Sequence, residues 1–359
     1  MKNKQLKRYF DLFEARTSNR LFILIIGARG LGKSFAFKDI AIKDYLERGW
    51  RFILIRRYMT ELDTSFSTYM QDINKKHPNH VFEARKEGEL HTFYCDGEPM
   101  GYAISLSRVK DMKSIPGDTI FNLGFDEFLP EDGKYITCGG NPYYEVDMCL
   151  NIYDTVCRGY GQATKDNVRF YFLANATDIN NPYFHEFKLT EKFARGASKV
   201  KTEFIYAEKC NSENYTIMEE KRNSRFGRFI AGTHYGGYSL NNEFYNDSTE
   251  FIQGKLPGGA KHLFNIISGK DLYGVWLDNS TNLFYVTDKY DPKCKQNYAL
   301  NNMGHNEDTE LIERIQNYPT MKMLRDAYNN GLVFFKDSNA KFILLSFLGV
   351  KMWHQIAYY

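Results

Sequence analysis

The chain has no long apolar run, almost no net charge and no paired-cysteine motif. The longest apolar runs, residues 21–28 and 342–350, are too short to cross a bilayer, and the first 20 residues are too charged for a signal-peptide core. A formal charge of +3 excludes a uniformly basic protein that coats nucleic acid but permits a local basic patch. We therefore expect neither a membrane protein nor a secreted one.

Six cysteines are scattered along the sequence, without a Cys-x-x-Cys pair and without histidines at metal-binding spacing. This usage is typical of reduced, mostly buried thiols, so we expect a cytoplasmic protein and no zinc module. The 359 residues, of which 43% are hydrophobic and 16% aromatic, supply enough apolar side chains for two core-bearing domains.

The first part of the sequence alternates between strand and helix patterns. Buried strands are predicted at 21–26 and 51–55, and the helical spacing between them ends at Gly49, so the segment is typical of one βαβ unit. Residues 80–107 alternate in polarity and predict short antiparallel strands. The patterns then predict strands at 119–125 and 168–174 and a helix over 144–158.

The second part of the sequence has a different pattern. Residues 209–247 are charged and punctuated by glycine, which predicts a helical linker. Strands are then predicted at 262–268, 272–277 and 283–287, followed by helices over 310–318, 321–329 and 339–358. The predicted class is α/β, with a nucleotide-binding domain at 1–208, a linker at 209–247 and an α+β domain at 248–359.

One octet carries the strongest chemical signal. It matches G-x-x-x-x-G-K-[ST] after a strand and before a helix, where backbone N–H groups can cradle phosphates. Lys33 would reach the β- and γ-phosphates, and the Ser34 hydroxyl would bind Mg²⁺. The plain alternative is an ordinary glycine-rich turn. The octet consists of Gly27, Ala28, Arg29, Gly30, Leu31, Gly32, Lys33 and Ser34.

A carboxylate pair follows a later predicted strand. Because Mg²⁺ at such an octet requires a partner carboxylate on a neighbouring strand end, Asp126 is the candidate metal residue. Glu127 would polarise the attacking water, which favours an ATP-hydrolysing enzyme over a kinase. Asn175, at the end of another strand, would orient the water or the γ-phosphate. An acidic strand exit and an asparagine turn residue are the plain alternatives.

The ordered set of motifs resembles the genome-packaging ATPases of small protein-primed podophages. The resemblance implies a P-loop ATPase of the additional-strand, catalytic-glutamate class with an RNase-H-like C-terminal domain. It also implies a homo-oligomeric ring, expected to be a pentamer, that drives double-stranded DNA through the portal of a procapsid in the host cytoplasm, with a packaging RNA as a further partner to be tested. The matching segments are GARGLGKS, RFILIRRYMTEL, GFDEF, DTVCRG, LANATDINNPYF, RNSRFGRFIAGTHYGGYSL, YGVWLD, LFYVTDKYDP and LRDAYNNG.

The resemblance assigns roles to two further residues. Arg158 would be an arginine finger that enters the ATP site of the neighbouring subunit, and the plain alternative is a cation that caps its own helix. Lys113 matches a lysine with a trans-acting role.

The C-terminal domain resembles a degenerate nuclease. A nuclease of this kind needs converging carboxylates for two metal ions, but the first predicted strand offers only Asn265 and Ser268. Asp278, Asp288 and Asp291 lie at strand ends, where acidic turn residues are ordinary. We therefore expect a nuclease fold without nuclease activity.

A translocating motor must hold the DNA phosphates without reading bases. Residues 192–228 carry nine Lys and Arg against five Glu, and two arginines follow the second strand. The alternatives are a solvated helix face and ion pairs with nearby acids. The DNA candidates are Arg56, Arg57, Lys199, Lys201, Arg222 and Arg225.

The primary hypothesis is an ATP-driven DNA packaging motor that uses ATP and Mg²⁺. One alternative is a large-terminase-type ATPase with an active C-terminal nuclease. The other is a nucleotide-dependent DNA-binding switch that binds ATP tightly and hardly hydrolyses it.

Overall fold

The computed structural model describes residues 6–88, 90–108, 115, 119–138, 141–158, 167–245, 251–253, 255–268, 271–300, 304–315 and 317–349. The chain divides into two compact units and passes between them several times, whereas the domains predicted from sequence are consecutive blocks whose boundaries stay a prediction. The first unit comprises Met1–Glu131, Glu145–Thr177 and Ala197–Tyr245, and the second comprises Asp132–Tyr144, Asp178–Gly196 and Asn246–Tyr359.

A nine-stranded sheet forms the centre of the first unit. Its strand order is β3-β4-β5-β2-β6-β7-β1-β9-β8, and the six strands from β5 to β9 run parallel while β3, β4 and β8 are antiparallel to their neighbours. This confirms an α/β fold with a parallel sheet. The strands are β1 (Phe22–Ile26), β2 (Arg51–Arg56), β3 (Phe82–Glu87), β4 (Leu90–Cys95), β5 (Glu98–Ser105), β6 (Ile120–Asp126), β7 (Arg169–Ala174), β8 (Lys199–Lys201) and β9 (Ile205–Lys209).

Helices flank the strands along the chain. In the described residues they are α1 (Phe13–Thr17), α2 (Lys33–Arg48), α3 (Met59–Phe66), α4 (Ile73–Lys76), α5 (Tyr144–Cys157), α6 (Pro182–Glu186), α7 (Thr190–Ala194), α8 (Thr216–Asn223), α9 (Arg225–Ile230), α10 (His234–Asn241), α11 (Ile312–Ile315), α12 (Pro319–Asn329) and α13 (Ser338–Leu348). None of the helices in this part of the chain is both long and apolar enough to span a bilayer.

Helix α2 packs on one face of the parallel strands. Its Phe37 is fully buried in a core that also contains Phe52 of β2 and Tyr171 of β7. Gly124 of β6 provides the space for this ring, because a Cβ at Gly124 would lie 2.3 Å from the Phe37 ring. Asn122 of β6, also buried, donates to the Asp44 carboxylate of α2 at 3.0 Å. The two residues that make β6 less apolar than its neighbours therefore both attach it to α2.

The second unit contains a six-stranded sheet whose order is β14-β13-β10-β11-β12-β15. Strands β10, β11 and β12 pair antiparallel, and the pairs β10–β13, β13–β14 and β12–β15 are parallel. The apolar side of α13 lies in the core of this sheet. The strands are β10 (Lys261–Ser268), β11 (Asp271–Asp278), β12 (Leu283–Thr287), β13 (Asn297–Ala299), β14 (Glu310–Leu311) and β15 (Val333–Phe335).

Three local expectations differ from the structure. The helix predicted over 310–318 is strand β14 followed by the single turn α11, because Glu310 pairs with Tyr298 of β13. The sequence pattern predicts no strand within the basic run 192–228, yet the run includes β8 and β9, which are short and mixed in charge. The last predicted helix ends at Leu348, and residues 350–359 lie outside the described part.

Candidate active site

The carboxyl ends of the parallel strands bring four sequence-distant segments to one edge of the sheet. Gly27 follows β1, Arg56 ends β2, Asp126 ends β6 and Asn175 follows β7. The register aligns these ends, since Ile26 pairs with Ala174 and Asp126 pairs with Leu173. This is the edge at which open α/β sheets bind ligands.

Lys33 is the first residue of α2, and its amine points back into the glycine-rich loop. Its Nζ donates to the carbonyl oxygens of Gly27 at 2.7 Å and Ala28 at 3.1 Å, and to Oδ1 of Asn175 at 3.0 Å. Burial lowers the pKa of this amine to about 8. Gly32 has a φ of 95° immediately before α2 begins, a conformation that glycine adopts without strain. The loop thus places a cation and a helix N-terminus where a phosphate chain would bind.

Ser34 and Asp126 form the predicted metal pair. The Ser34 hydroxyl donates to Oδ1 of Asp126 at 2.9 Å, and burial raises the pKa of the Asp126 carboxyl. A hydroxyl and a carboxylate side by side are the oxygen ligands that Mg²⁺ prefers, so these residues fit that ion. Strand β6 is not the immediate neighbour of β1, because β7 lies between them and is followed by Asn175.

Glu127 lies just beyond the end of β6 in an unusual backbone conformation. Its φ is +63°, in the left-handed region that residues with a Cβ rarely adopt. Its carboxylate is 60% exposed and lies 3.0 Å from Nη1 of Arg56, which is also 3.9 Å from the Asp126 carboxylate. The two adjacent acids therefore face different surroundings, one buried beside Ser34 and one open to the solvent.

Sequence reasoning missed the contacts of the helical segment 216–245 with the glycine-rich loop. Lys221 of α8 donates to the carbonyl oxygen of Arg29 at 2.8 Å and to both oxygens of Ser239 at 2.9 Å. Asn242 donates to the carbonyl oxygen of Ile26, the last residue of β1. A cavity of about 440 Å³ beside Arg29 is lined by aromatic and aliphatic side chains of the same helices. No motif signals these contacts, since they depend on how the helices fold back.

The two arginines at the end of β2, Arg56 and Arg57, both contact acids, which was the alternative left open for them. Arg56 pairs with Glu127. Arg57 is buried and pairs with Glu145 at 2.9 Å, with side-chain exposures of 3% and 0%. We therefore remove Arg57 from the DNA candidates, because its guanidinium does not reach the surface.

The remaining basic candidates differ in their surroundings. Lys199 and Lys201, on the edge strand β8, both bind the Glu14 carboxylate, at 2.7 and 3.2 Å. Arg222 donates to the carbonyl oxygen of Leu240, and Arg225 is exposed at the start of α9.

Arg158, just after α5, is 72% exposed and pairs with Asp154 one turn earlier. Its side chain thus projects into the solvent, as an arginine finger requires. Lys113 lies outside the described residues.

The three acids considered for a nuclease site in the second unit each bind another group of that unit. Asp278 accepts from the backbone N–H and the hydroxyl of Ser280, Asp288 pairs with Lys336, and Asp291 accepts from the N–H of Lys293. Within the described ranges these three acids do not form a group that could hold a metal ion. Asn265 is buried in β10 and donates to Asn297.

Comparisons with known proteins extend over nearly the whole chain. The family described as Podovirus DNA encapsidation protein (Gp16) matches residues 4–351. The DNA packaging protein of Bacillus phage B103 is 34% identical over 338 residues, which cover 94% of this chain and 98% of the relative. The DNA packaging protein of Bacillus phage phi29 is 34% identical over 321 residues, which cover 88% of this chain and 90% of the relative.

Two solved structures are similar over their full length. A chain of the bacteriophage Phi-29 viral genome packaging motor assembly matches at 30% identity and a TM-score of 0.68, covering 96% of this chain and 99% of that chain. A chain of the Phi-28 gp11 DNA packaging motor matches at 17% identity and a TM-score of 0.68, covering 95% and 98%. At that identity the second match shows a shared fold only.

Proposed function

This chain belongs to the podovirus DNA encapsidation protein family and acts in DNA packaging, and we propose that it is the ATP-hydrolysing subunit that drives double-stranded DNA into a procapsid. One observation carries the proposal: Lys33, Ser34, Asp126 and Glu127 meet at one edge of a parallel sheet. These residues are up to 94 positions apart in the sequence. A lysine, a hydroxyl and two carboxylates together are the groups that ATP hydrolysis requires.

The glycine-rich loop would bind the phosphates of ATP. Backbone N–H groups at the start of α2 and the Lys33 amine would neutralise the phosphate oxygens, and Asn175, already 3.0 Å from Nζ, would contact the γ-phosphate side. Ser34 and Asp126 would hold Mg²⁺, which when bound neutralises charge on the β- and γ-oxygens. The resemblance to P-loop ATPases of the additional-strand class is supported by β7, which stands between β1 and the acidic strand β6.

Glu127 would polarise the attacking water. Its carboxylate is exposed enough to contact a water molecule, and it lies one residue beyond the proposed metal ligand. Arg56 pairs with it in this structure, so the carboxylate must exchange that partner for the water in the reacting state.

The proposed working unit is a ring of identical subunits, a pentamer, at the procapsid portal. The exposure of Arg158 supports a finger that completes the site of a neighbouring subunit. Arg225 and the lysines of β8 are the proposed DNA contacts, and a packaging RNA is a further partner to test in the same assembly.

We further propose that the second unit is an inactive RNase-H-like domain. Its strand order β14-β13-β10-β11-β12, with three antiparallel strands followed by two parallel ones, supports the fold. The local engagement of Asp278, Asp288 and Asp291 supports the loss of activity.

DNA-stimulated ATP turnover tests the proposal directly. Lys33→Ala is expected to abolish turnover, and Glu127→Gln is expected to reduce it to a measurable residual rate, about a hundredfold or more below wild type. The matched control Lys43→Ala, on the exposed side of α2, retains turnover. Wild-type turnover in either site variant would overturn the proposal. Tight ATP binding without turnover in the wild type would favour a binding switch instead, and Mn²⁺-dependent DNA cleavage that Asp278→Ala or Asp288→Ala removes would favour an active nuclease.

A further inference from the structure

A buried ion pair lies directly behind the proposed catalytic glutamate. Arg57 Nε and Nη2 donate to the two carboxylate oxygens of Glu145, each at 2.9 Å. Both side chains are almost completely inaccessible to solvent. Such a pair contributes little net stability relative to apolar packing, so its presence calls for another explanation.

The same guanidinium also binds the backbone that follows β6. Nη1 donates to the carbonyl oxygen of Glu127 at 3.0 Å, and Nη2 donates to the carbonyl oxygen of Phe128 at 2.8 Å. Arg57 thus donates two hydrogen bonds to a carboxylate and two to consecutive carbonyl groups. Only a guanidinium has donors in this arrangement, because a lysine ammonium is a single point of charge.

The backbone that Arg57 binds is the left-handed turn at Glu127. With a φ of +63°, Glu127 is in a conformation that its own side chain disfavours. Such a conformation persists only where the surroundings hold it. Arg57 holds it from the carbonyl side, and the N–H of Glu127 donates to the carbonyl oxygen of Leu173 on β7 at 2.8 Å. The direction of the Glu127 carboxylate follows from this turn.

We propose that Arg57, oriented by Glu145, is a positioning residue that sets the backbone at Glu127 and so aims the catalytic carboxylate at the attacking water. This inference rests on the proposed ATPase function. Glu145 lies in the first turn of α5, so the pair also connects the Glu127 turn to the helix that precedes Arg158.

The experiment uses the full-length protein in its DNA-stimulated form. The double variant Arg57→Met/Glu145→Leu replaces the ion pair by apolar side chains and leaves no unpaired buried charge, but it removes both hydrogen bonds to the turn. We expect kcat for ATP to fall by at least about tenfold while the affinity for a fluorescent ATP analogue stays within about twofold. Glu145→Gln retains Arg57 and its carbonyl contacts and is expected to keep more activity than the double variant.

A second variant keeps the test valid if the double variant does not fold. Arg57→Lys retains a cation beside Glu145 and lacks the planar fork, so the same loss of kcat at unchanged nucleotide affinity is expected. The matched control is Arg16→Met, which breaks the contact between Arg16 and the buried Asp44 in the same unit without touching the Glu127 turn. The inference is overturned if kcat stays within about twofold of wild type in the folded double variant or in Arg57→Lys. It is also overturned if Arg16→Met, at equal thermal stability, loses as much kcat as these variants.

Combination with Glu127→Gln separates positioning from general destabilisation. If Arg57 acts through Glu127, Arg57→Lys adds no further loss of turnover in the Glu127→Gln background. A multiplicative further loss would show that Arg57 acts elsewhere. Full turnover in Glu127→Gln alone would instead refute the proposed function, so the two failures are distinguishable.

Discussion

The Ser34 hydroxyl lies 2.9 Å from Oδ1 of Asp126, although 92 residues separate the two in the chain. The contact forms because α2 begins at the edge of the sheet where β6 ends. It joins the glycine-rich loop to the acidic strand end in one arrangement of oxygen atoms.

Removal of this hydroxyl tests the metal pair. Ser34→Ala is expected to lower Mg²⁺-dependent ATP turnover on the order of tenfold to a hundredfold, because one oxygen ligand is lost, while Ser34→Thr keeps the ligand and the activity. The measurement is the Mg²⁺ concentration at half-maximal turnover, which should rise in Ser34→Ala because the metal is held by one ligand fewer. Thr64→Ala, which removes an α3 hydroxyl bound only to a local carbonyl, is the control. An unchanged Mg²⁺ requirement in Ser34→Ala would contradict the assignment.

The close approach of Gly124 to Phe37 predicts a stability defect. A methyl group at Gly124 would overlap the Phe37 ring, so Gly124→Ala should reduce the free energy of unfolding by about 1–3 kcal/mol. The smaller Phe37→Leu side chain should partly restore it. Urea unfolding measures both, with Gly232→Ala, which has open space around the added methyl, as the control. Equal stability of the Gly124→Ala and Gly232→Ala proteins would refute the packing argument.

The buried His185 should make the stability of the second unit sensitive to acid. Burial lowers its pKa to about 4, with Oη of Tyr143 at 2.7 Å from Nδ1 and the Phe342 ring stacked on the imidazole. The unfolded chain binds the proton near pH 6.5, so unfolding is favoured as the pH falls from 6.5 to 4, by up to about 3 kcal/mol. Above pH 6.5 both states are neutral and the contribution is constant.

His185→Asn isolates this contribution from that of the carboxylates. An asparagine oxygen can replace Nδ1 as the partner of Tyr143 but does not titrate. The difference in unfolding free energy between the variant and the wild type should therefore change in favour of the variant below pH 6.5. A pH-independent difference between pH 7 and pH 4.5 would show that His185 does not carry the effect.

Mixed rings test the trans role of Arg158. Arg158→Ala subunits and Lys33→Ala subunits are each expected to be inactive, but a mixture contains interfaces in which an intact Lys33 site meets an intact Arg158. Recovered ATP hydrolysis on mixing is the expected result, and no recovery at any ratio would refute a shared site. Asp154→Ala, which removes only the local partner of Arg158, should leave hydrolysis unchanged.

The proposed DNA contacts of the β8 lysines predict how DNA affinity depends on salt concentration. If Lys199 and Lys201 contact DNA phosphates, replacing both by alanine should reduce the slope of log affinity against log salt concentration by about 2. Both lysines now bind Glu14, so Glu14→Gln should strengthen DNA binding at low salt. An unchanged slope in the double alanine variant, equal to that of the control Lys43→Ala, would remove β8 from the DNA interface.

Local patterns were enough to predict most of the parallel strands and the chemistry of their ends. A buried strand requires a continuous apolar run, and phosphate binding requires glycines before a Lys-Ser pair, so both leave a mark within about ten residues. Strands β8 and β9 were missed because Lys199–Lys201 and Ile205–Lys209 are short and alternate with charge, which hides them in a basic run. The pairing of β9 with β1, and of β8 with β9, stabilises strands that the local pattern does not specify.

The Arg56–Arg57 pair shows where local reasoning stops. In the sequence these residues are two equivalent cations at a strand end. In the structure one contacts the exposed carboxylate of Glu127 and the other is buried against Glu145, 88 residues away. The strand alternation sends adjacent side chains in different directions, and only the packed fold determines what each one meets.

The near-neutral sequence, with its glycine-rich octet and its acidic strand end, determined by itself that this is an α/β protein with the residues for phosphate chemistry. The order of the strands, including which strand stands between β1 and β6, and the burial of Arg57 against Glu145 were decided only by the tertiary structure. The physical reason is that residue types and short periodicities are local properties, whereas strand order and burial depend on contacts between residues about a hundred positions apart.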